Sequence, residues 1–275
     1  MIDKITSDPV HLPPRIMVQG TPGSGKSWLA SSAPGVVFLD LENGIPGRAI
    51  PRFSGIEDWF GIMCALKELA ADEHDYKTLV IDSLSRAEAF CHKLIADQEG
   101  VDSIGLIPFG KGYAVADAYW EEFRKCLDIL REQRGMTIIA IAHTEIVEVM
   151  DPHTGPYSKA QPQMHKRALA KFVEWFDLIG FLTVDRVIQH KGSGAKEVIT
   201  SKTTGARVML TQEDGSAVAK CRWTIEPKLT IPKENGFAVI RKALGDAMKS
   251  IAAEDMEKLQ PKPKKAKKKA TEVEF

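Results

Sequence analysis

Four short apolar runs divide the first half of the chain, and each predicts a β-strand buried on both faces. They are Ile16–Val18, Val36–Asp40, Thr78–Asp82 and Thr137–Ala142. The stretches between them carry apolar residues at helical spacing. Strands and helices that alternate over such short distances predict an α/β fold, a parallel sheet covered by helices with ligands at the carboxyl ends of the strands.

The helical patterns of the first half have recognisable ends. The predicted helices are Lys26–Ser32, a helix capped by Ser54 that continues through Ala71, Ser85–Gln98 and Tyr113–Gln133. Pro34 and Gly35 stop the first helix, and a loop containing glycine and proline precedes the last one.

The pattern changes after His143. A turn-rich loop at Asp151–Pro156 is followed by a predicted helix over Met164–Trp175 and a strand over Leu178–Val184. Glycines then separate several short segments, which predicts antiparallel hairpins added to the parallel core. A last helix is expected over Gly236–Leu259.

Composition bounds the class of protein. Of the 275 residues 44% are hydrophobic, and we expect one main domain over residues 14–246, between an N-terminal segment (1–13) and a C-terminal helix end and tail (247–275). No apolar stretch approaches the roughly 20 residues of a membrane helix, and the N-terminus lacks a signal-peptide pattern. We therefore expect a cytoplasmic protein without membrane contact. The four scattered cysteines predict neither a zinc site nor disulfides.

Charge is unevenly distributed along the chain. The net charge is zero, but Pro261–Phe275 carries six lysines and two glutamates, a net +4 that leaves −4 for the rest. Such a segment lacks the apolar surface needed for folding, so we expect disorder from about residue 259. A tail of this kind either contacts nucleic acid through counterion release or keeps a protein soluble.

The motif G-x-x-x-x-G-K-[ST] follows the first strand and opens the first helix. Its residues are Gly20, Thr21, Pro22, Gly23, Ser24, Gly25, Lys26 and Ser27, with Trp28 next in the helix. Glycines let backbone amides wrap phosphate oxygens, the lysine reaches the β and γ phosphates, and the serine hydroxyl binds Mg²⁺. The helix N-terminus adds a favourable dipole. The motif predicts a site for ATP and Mg²⁺.

The strand Thr78–Asp82 matches the second acidic motif of phosphate-loop ATPases. Asp82 is expected to hold Mg²⁺, directly or through water. Ring-forming AAA+ proteins typically place glutamate next, whereas Ser83 follows here. Aspartate followed by serine resembles RecA-type ATPases, which implies a RecA-like P-loop core.

That resemblance also suggests catalytic residues. RecA-type ATPases carry a water-activating glutamate after the strand that follows the loop helix, and Glu42 occupies that place. We interpret Glu42 as the general base, with Asp40 as the substitute. The alternative is that Glu42 is a solvated acid in the turn before Gly44. His143, at the end of Thr137–Ala142, either senses the γ-phosphate or caps the strand end structurally.

The chain as a whole, from about residue 14 to 245, resembles the RecA-like ATP-binding proteins of bacteriophages, the fourth Sak type of single-strand annealing protein. The segments that carry the resemblance are Gly20–Ser27, Leu39–Gly44, Val80–Ser83, Phe109–Tyr113, Ile141–Thr144 and Ala219–Arg222. The family implies ATP-dependent or ATP-modulated binding of single-stranded DNA, annealing of complementary strands and cooperation with a single-strand DNA-binding protein.

Within this resemblance, Lys220 and Arg222 look like the basic pair that RecA-type proteins direct across a subunit interface, which implies a homo-oligomer. The alternative is two exposed strand residues. Candidate DNA contacts, cations interleaved with aromatic rings, are Lys111, Tyr113, Tyr157, Lys159, Lys166 and Arg167, with His165 beside them. A solvated basic face is the alternative for these.

Three other functions remain open from the sequence. A small-molecule kinase would need an arginine-rich substrate lid, and the arginines nearest such a place, Arg124, Arg131 and Arg134, lie on a predicted helix. An AAA+ loader is disfavoured by Ser83 and by the lack of a clear C-terminal helical lid. A nucleotide-gated DNA-binding module with negligible turnover is favoured if Glu42 is not the base.

Overall fold

A computed structural model describes residues 12–44, 49–152, 155–191 and 198–259 of the chain. The predicted disorder of the lysine-rich tail, Pro261–Phe275, lies outside the described residues.

Strands and helices alternate through the first part of the chain and strands dominate the last third. The strands are β1 Arg15–Gln19, β2 Val36–Asp40, β3 Arg52–Phe53, β4 Thr78–Asp82, β5 Thr137–Ala142, β6 Thr144–Asp151, β7 Gly155–Pro162, β8 Leu178–Lys191, β9 Val198–Leu210, β10 Lys220–Cys221 and β11 Lys228–Ile231. The helices are α1 Lys26–Ala30, α2 Trp59–Ala71, α3 Leu84–Gln98, α4 Lys111–Gln133, α5 Lys166–Trp175 and α6 Gly236–Leu259.

The central sheet has the strand order β11-β9-β8-β1-β5-β4-β2-β3, and β10 pairs with β8 beside this path. From β8 to β3 all neighbours run parallel, whereas β9, β10 and β11 are antiparallel to their neighbours. This mostly parallel sheet with antiparallel strands at one side confirms the predicted fold class.

Alternate residues of the buried strands pack into two separate hydrophobic cores, because successive side chains of a strand point to opposite faces of the sheet. Leu39 and Ile81 pack in the core that holds α2, α3, α4 and α5. Phe38 and Val80 pack in the core that holds α1 and α6. Burial on both faces explains why these strands are continuous apolar runs.

One local expectation is wrong, and one expected loop is part of a longer element. The helix predicted from a Ser54 cap begins at Trp59, and Asp58 caps it by accepting a hydrogen bond from the Gly61 amide. Gly55 has a φ of 73°, a left-handed conformation that interrupts a helix at this point. The turn-rich loop expected at Asp151–Pro156 belongs to a long hairpin in which β6 and β7 pair antiparallel.

The register of the parallel strands brings the predicted site residues to one edge of the sheet. Asp40 pairs with Asp82, and Gln19, the residue before the phosphate motif, pairs with Ala142. Because β1, β2, β4 and β5 all run the same way, the segments that follow them emerge together. Among the helices described, none is both long enough and apolar enough to span a bilayer.

Candidate nucleotide-binding site

The loop between β1 and α1 has the backbone geometry of an anion cradle. Gly23 and Gly25 have φ values of 77° and 91°, which only glycine adopts without strain. Gly20 is constrained by space instead, because a Cβ there would lie 2.3 Å from the carbonyl oxygen of Leu182. The glycines at these three positions are therefore required by the fold of the loop itself.

Two polar side chains of the loop are buried within it. The Lys26 ammonium donates hydrogen bonds to the carbonyl oxygens of Gly20, at 2.7 Å, and Thr21, at 3.2 Å. Burial lowers the pKa of Lys26, and the carboxylates of Asp82 and Glu42 act in the opposite direction. Ser24 is buried, and its hydroxyl has no hydrogen-bond partner among the described residues. A buried hydroxyl without a partner beside a buried ammonium fits a loop built to hold an anion.

Ser27 and Asp82 meet across the start of α1. The Ser27 hydroxyl donates a 2.7 Å hydrogen bond to Asp82 Oδ2. Burial raises the pKa of the Asp82 carboxyl, and the neighbouring carboxylates of Glu42 and Asp40 raise it further. Hydroxyl and carboxylate oxygens are the ligands that Mg²⁺ prefers, and a cation there would favour the ionised carboxylate.

Glu42 and His143 form a second polar contact at the same edge. Glu42 Oε1 lies 2.7 Å from His143 Nε2 and also accepts a hydrogen bond from the Ser83 hydroxyl. Burial by itself raises the pKa of Glu42, but these hydrogen bonds and the charges of His143 and Arg86 outweigh it, so the pKa lies below its ordinary value. Glu42 is therefore ionised near neutral pH and held in position. Both side chains are partly exposed and line a cavity of about 590 Å³.

Asp40 has a different environment. It is buried, its Oδ1 accepts a 3.2 Å hydrogen bond from the Gly44 amide, and its Oδ2 lies 3.9 Å from Arg52 Nε. These contacts tie Asp40 to the turn that follows β2. Of the two acids considered as base, Glu42 is the one that faces the cavity.

The other nucleotide and interface candidates lie elsewhere. The indole of Trp28 donates a 2.6 Å hydrogen bond to the carbonyl oxygen of Lys233. Lys220 and Arg222 donate hydrogen bonds to backbone carbonyls near the end of α5, and Arg222 also lies 3.0 Å from Asp177. Because β10 pairs with the first residues of β8, this pair lies at the opposite edge of the sheet from the phosphate loop of its own subunit.

The six candidate DNA contacts fall into two groups. Lys111 and Tyr113 begin α4 while Lys166 and Arg167 begin α5, and the Tyr113 ring stacks on the His165 ring, with centroids 3.9 Å apart. We call these five residues the α4–α5 patch.

Tyr157 and Lys159 form the second group, on β7. Two of the four candidate cations already form ion pairs: Arg167 contacts Asp117, and Lys159 contacts Glu213. These ion pairs reduce the free positive charge that the sequence suggested.

Sequence reasoning missed three contributors to the site. Gln19 is fully buried at the end of β1 and joins Val218 to Thr144, the first residue of the β6–β7 hairpin. Ser83 holds Glu42, and Arg207 of β9 lies against the phosphate loop. Gln19 and Ser83 each adjoin a recognised motif, whereas Arg207 had no sequence signal.

The family described as AAA domain matches residues 12–223, which include the phosphate loop, Asp82, His143 and Arg222.

The chain belongs to this family.

Membership identifies this AAA-domain protein as an ATPase. No curated protein matches the chain. A crystal structure of the RadB recombinase is similar at 14% sequence identity, with a TM-score of 0.45, over 82% of this chain and 90% of that chain.

Proposed function

We propose that this AAA-domain protein is a RecA-like, Mg²⁺-dependent ATPase that acts on single-stranded DNA, annealing or pairing strands in phage recombination. The observation that carries the proposal is the position of His143, between the Glu42 carboxylate and the first residue of the β6–β7 hairpin. The phage setting follows from the sequence resemblance.

The residues of the loop fit the nucleotide and the metal. The loop amides, Lys26 and the unpartnered Ser24 hydroxyl would hold the phosphates, and Ser27 and Asp82 would hold Mg²⁺. A bound Mg²⁺ would neutralise charge that develops on the phosphates. Glu42, ionised by its hydrogen bonds, is the group positioned to accept a proton from water at its carboxylate.

The β6–β7 hairpin is directly connected to this centre. Thr144 follows His143 and donates a 3.3 Å hydrogen bond to Gln19, and the Gln163 amide after β7 donates to the His143 carbonyl oxygen. Both ends of the hairpin are therefore tied to residues next to the nucleotide site. A change at His143 would reach the hairpin without any intermediate element.

The α4–α5 patch and the hairpin supply chemistry suited to single strands. Phe109, 96% exposed, lies two residues before Lys111, and the ring of Tyr113 is already stacked with that of His165. On the hairpin, Ile146 and Met150 are also exposed. Exposed rings next to cations bind bases by stacking and phosphates by charge, with little sequence preference.

Assembly of several subunits is part of the proposal. Lys220 and Arg222 lie at the opposite edge of the sheet from their own phosphate loop, so a role at a γ-phosphate requires a neighbouring subunit. A cation supplied in this way makes hydrolysis depend on assembly. A single-strand DNA-binding protein remains the expected partner from the resemblance.

Of the alternatives, the kinase has the least support. Arg131 and Arg134 donate to backbone carbonyls of Pro13 and Ala70, and Arg124 pairs with Glu121 on its own helix. These arginines maintain the fold and do not form a substrate lid. An AAA+-type loader and a nucleotide-gated DNA-binding module without turnover remain alternatives that the experiment below separates.

The test is annealing of complementary oligonucleotides by the full chain, with ATP, with ADP and without nucleotide. We expect nucleotide-dependent acceleration by wild type that is lost in Lys26→Ala. Lys111→Ala combined with Lys166→Ala should weaken binding to single strands uniformly across sequences and reduce its salt dependence. Lys93→Ala, at an exposed lysine of α3 paired with Asp97, is the matched control. Nucleotide-dependent DNA binding without acceleration would favour the loader or the gated module.

A further inference from the structure

Arg207 reaches the nucleotide site from a strand that carries no recognised motif. On β9 it lies opposite Val184 of β8 and Ile231 of β11. β8 pairs with β1 only as far as Phe181, opposite Gln19, so Val184 is three residues beyond the end of β1. At about 3.3 Å per residue this places Arg207 about 10 Å past the end of β1, on the side of the sheet where the phosphate loop lies.

The contact itself is with Gly25, the residue before Lys26. A Cβ built on Gly25 would lie 2.2 Å from Arg207 Nη1 and 3.3 Å from Cζ. The guanidinium thus fills the space that a side chain at Gly25 would occupy. Gly25 also caps α1 with a φ of 91°. Both the backbone conformation and the position of Arg207 therefore require glycine here.

Arg207 is partly buried. Among the residues that the structure describes, none forms a hydrogen bond or an ion pair with its guanidinium. The nearby strand cation Lys228 is different, because it pairs with Asp185. A guanidinium has five donors, and leaving them unsatisfied in a partly buried place is unfavourable. The observation points to an anion that completes the site.

We propose that Arg207 binds a phosphate of the nucleoside triphosphate in cis, as a second cation beside Lys26. A planar guanidinium matches two phosphate oxygens at once, which an ammonium does not. Arg207 thereby joins the nucleotide to the β8–β9 pair, whose Leu182 carbonyl oxygen already contacts the loop at Gly20. The inference rests on nucleotide binding by Gly20–Ser27 and adds a residue to it.

The experiment measures affinity for a fluorescent ADP and a fluorescent, slowly hydrolysed ATP analogue, without DNA. We expect Arg207→Ala to bind the triphosphate analogue about 10- to 100-fold more weakly than wild type. Arg207→Lys should recover only part of the loss, because lysine keeps the charge but not the two-point geometry. Arg241→Ala, at an exposed arginine of α6, is the matched control and should bind like wild type.

A second readout separates binding from folding. The nucleotide-induced rise in Tm should shrink in Arg207→Ala, while its Tm without nucleotide stays close to that of wild type. Unchanged nucleotide affinity in Arg207→Ala, with Lys26→Ala defective, would overturn this inference and leave the proposed function standing. Absence of nucleotide binding by wild type would instead overturn the proposed function.

Discussion

The imidazole Nε2 of His143 lies 2.7 Å from Glu42 Oε1, although the two residues are 101 positions apart in the chain. β2 and β5 lie on either side of β4, and their carboxyl ends bring both side chains to the same edge. The contact links the candidate base to the start of the β6–β7 hairpin. It predicts that hydrolysis and DNA binding depend on the same pair.

Replacing Glu42 by Gln should reduce ATP hydrolysis by about 10²- to 10⁴-fold, because the amide keeps the shape but cannot accept a proton. Nucleotide affinity should change little, since Lys26 and the loop amides are intact. Steady-state hydrolysis and nucleotide titration check both. Glu68→Gln, at an exposed glutamate of α2, is the control. If Glu42→Gln hydrolyses like wild type, Glu42 is not the base, and Asp40→Asn becomes the next variant.

The Ser27–Asp82 contact predicts a metal-specific defect. Asp82→Asn and Ser27→Ala should bind ATP about tenfold or more weakly than wild type in Mg²⁺, because each removes an oxygen ligand or its charge. In excess chelator the difference should largely disappear. Titrations with and without Mg²⁺ measure this. A loss of equal size in both conditions would mean that these residues support the loop and not the metal.

The placement of Arg222 separates an interface role from a structural one. The side chain of Arg222 in its ion pair with Asp177 is 47% exposed. In Arg222→Ala, Asp177 would still be paired with Arg15. The substitution should therefore lower the free energy of unfolding by no more than about 1 kcal/mol. DNA-stimulated hydrolysis should fall by about 10³-fold if the arginine acts on a neighbour. Lys228→Ala, which loses a comparably exposed ion pair with Asp185, is the control.

Mixing variants tests the same role directly. Lys26→Ala subunits retain Arg222, and Arg222→Ala subunits retain an intact phosphate loop. In an equal mixture, roughly a quarter of head-to-tail interfaces combine an intact loop with an intact Arg222 from the neighbour, and these interfaces should be active. A mixture that stays inactive, with assembly intact, would contradict the interface role.

Glu88 predicts a pH-dependent difference in stability. Burial raises its pKa to about 7 from 4.5, although the His165 amide donates to both carboxylate oxygens. The folded state therefore binds the proton more tightly, and this contribution to stability is complete below pH 4.5 and is lost as the pH rises through 7. Relative to wild type, the free energy of unfolding of Glu88→Gln should increase by up to about 3 kcal/mol between pH 4.5 and pH 8.

The neighbouring His92 requires that this comparison be made against wild type. Burial, and then the charge of His165, lower the pKa of His92 to about 4, so its own contribution to stability increases as the pH rises from 4 to 6.5. The two effects oppose each other in wild type, and the difference between the variants reports Glu88 together with its 3.9 Å contact to His92. Denaturant unfolding at several pH values measures it. A difference that does not change with pH would mean that folding does not raise the pKa of Glu88.

The sequence predicted the elements whose signals are local. Val36–Asp40 and Thr137–Ala142 are strands with the predicted bounds, because an apolar run closed by a polar residue is distinctive, and Gly236–Leu259 is a helix as expected. The phosphate loop was recognisable because the backbone geometry of one short segment requires glycines at fixed spacing.

The remaining features depend on distant contacts. The start of α2 was misplaced because the conformation of Gly55, and not the residue types around it, decides where the helix begins. The approach of Arg207 to Gly25 joins a residue of β9 to a residue of the phosphate loop, and no local pattern encodes it. The Ser83 contact with Glu42 likewise follows from the order of β2 and β4 in the sheet.

The most direct test of the account is ATP hydrolysis by wild type and Lys26→Ala, each with and without single-stranded DNA, at low and moderate salt. We expect that wild type hydrolyses ATP, that single strands stimulate this hydrolysis more strongly at low salt, and that Lys26→Ala shows no hydrolysis above background. Hydrolysis that ignores DNA at both salt concentrations, or that survives in Lys26→Ala, would contradict it.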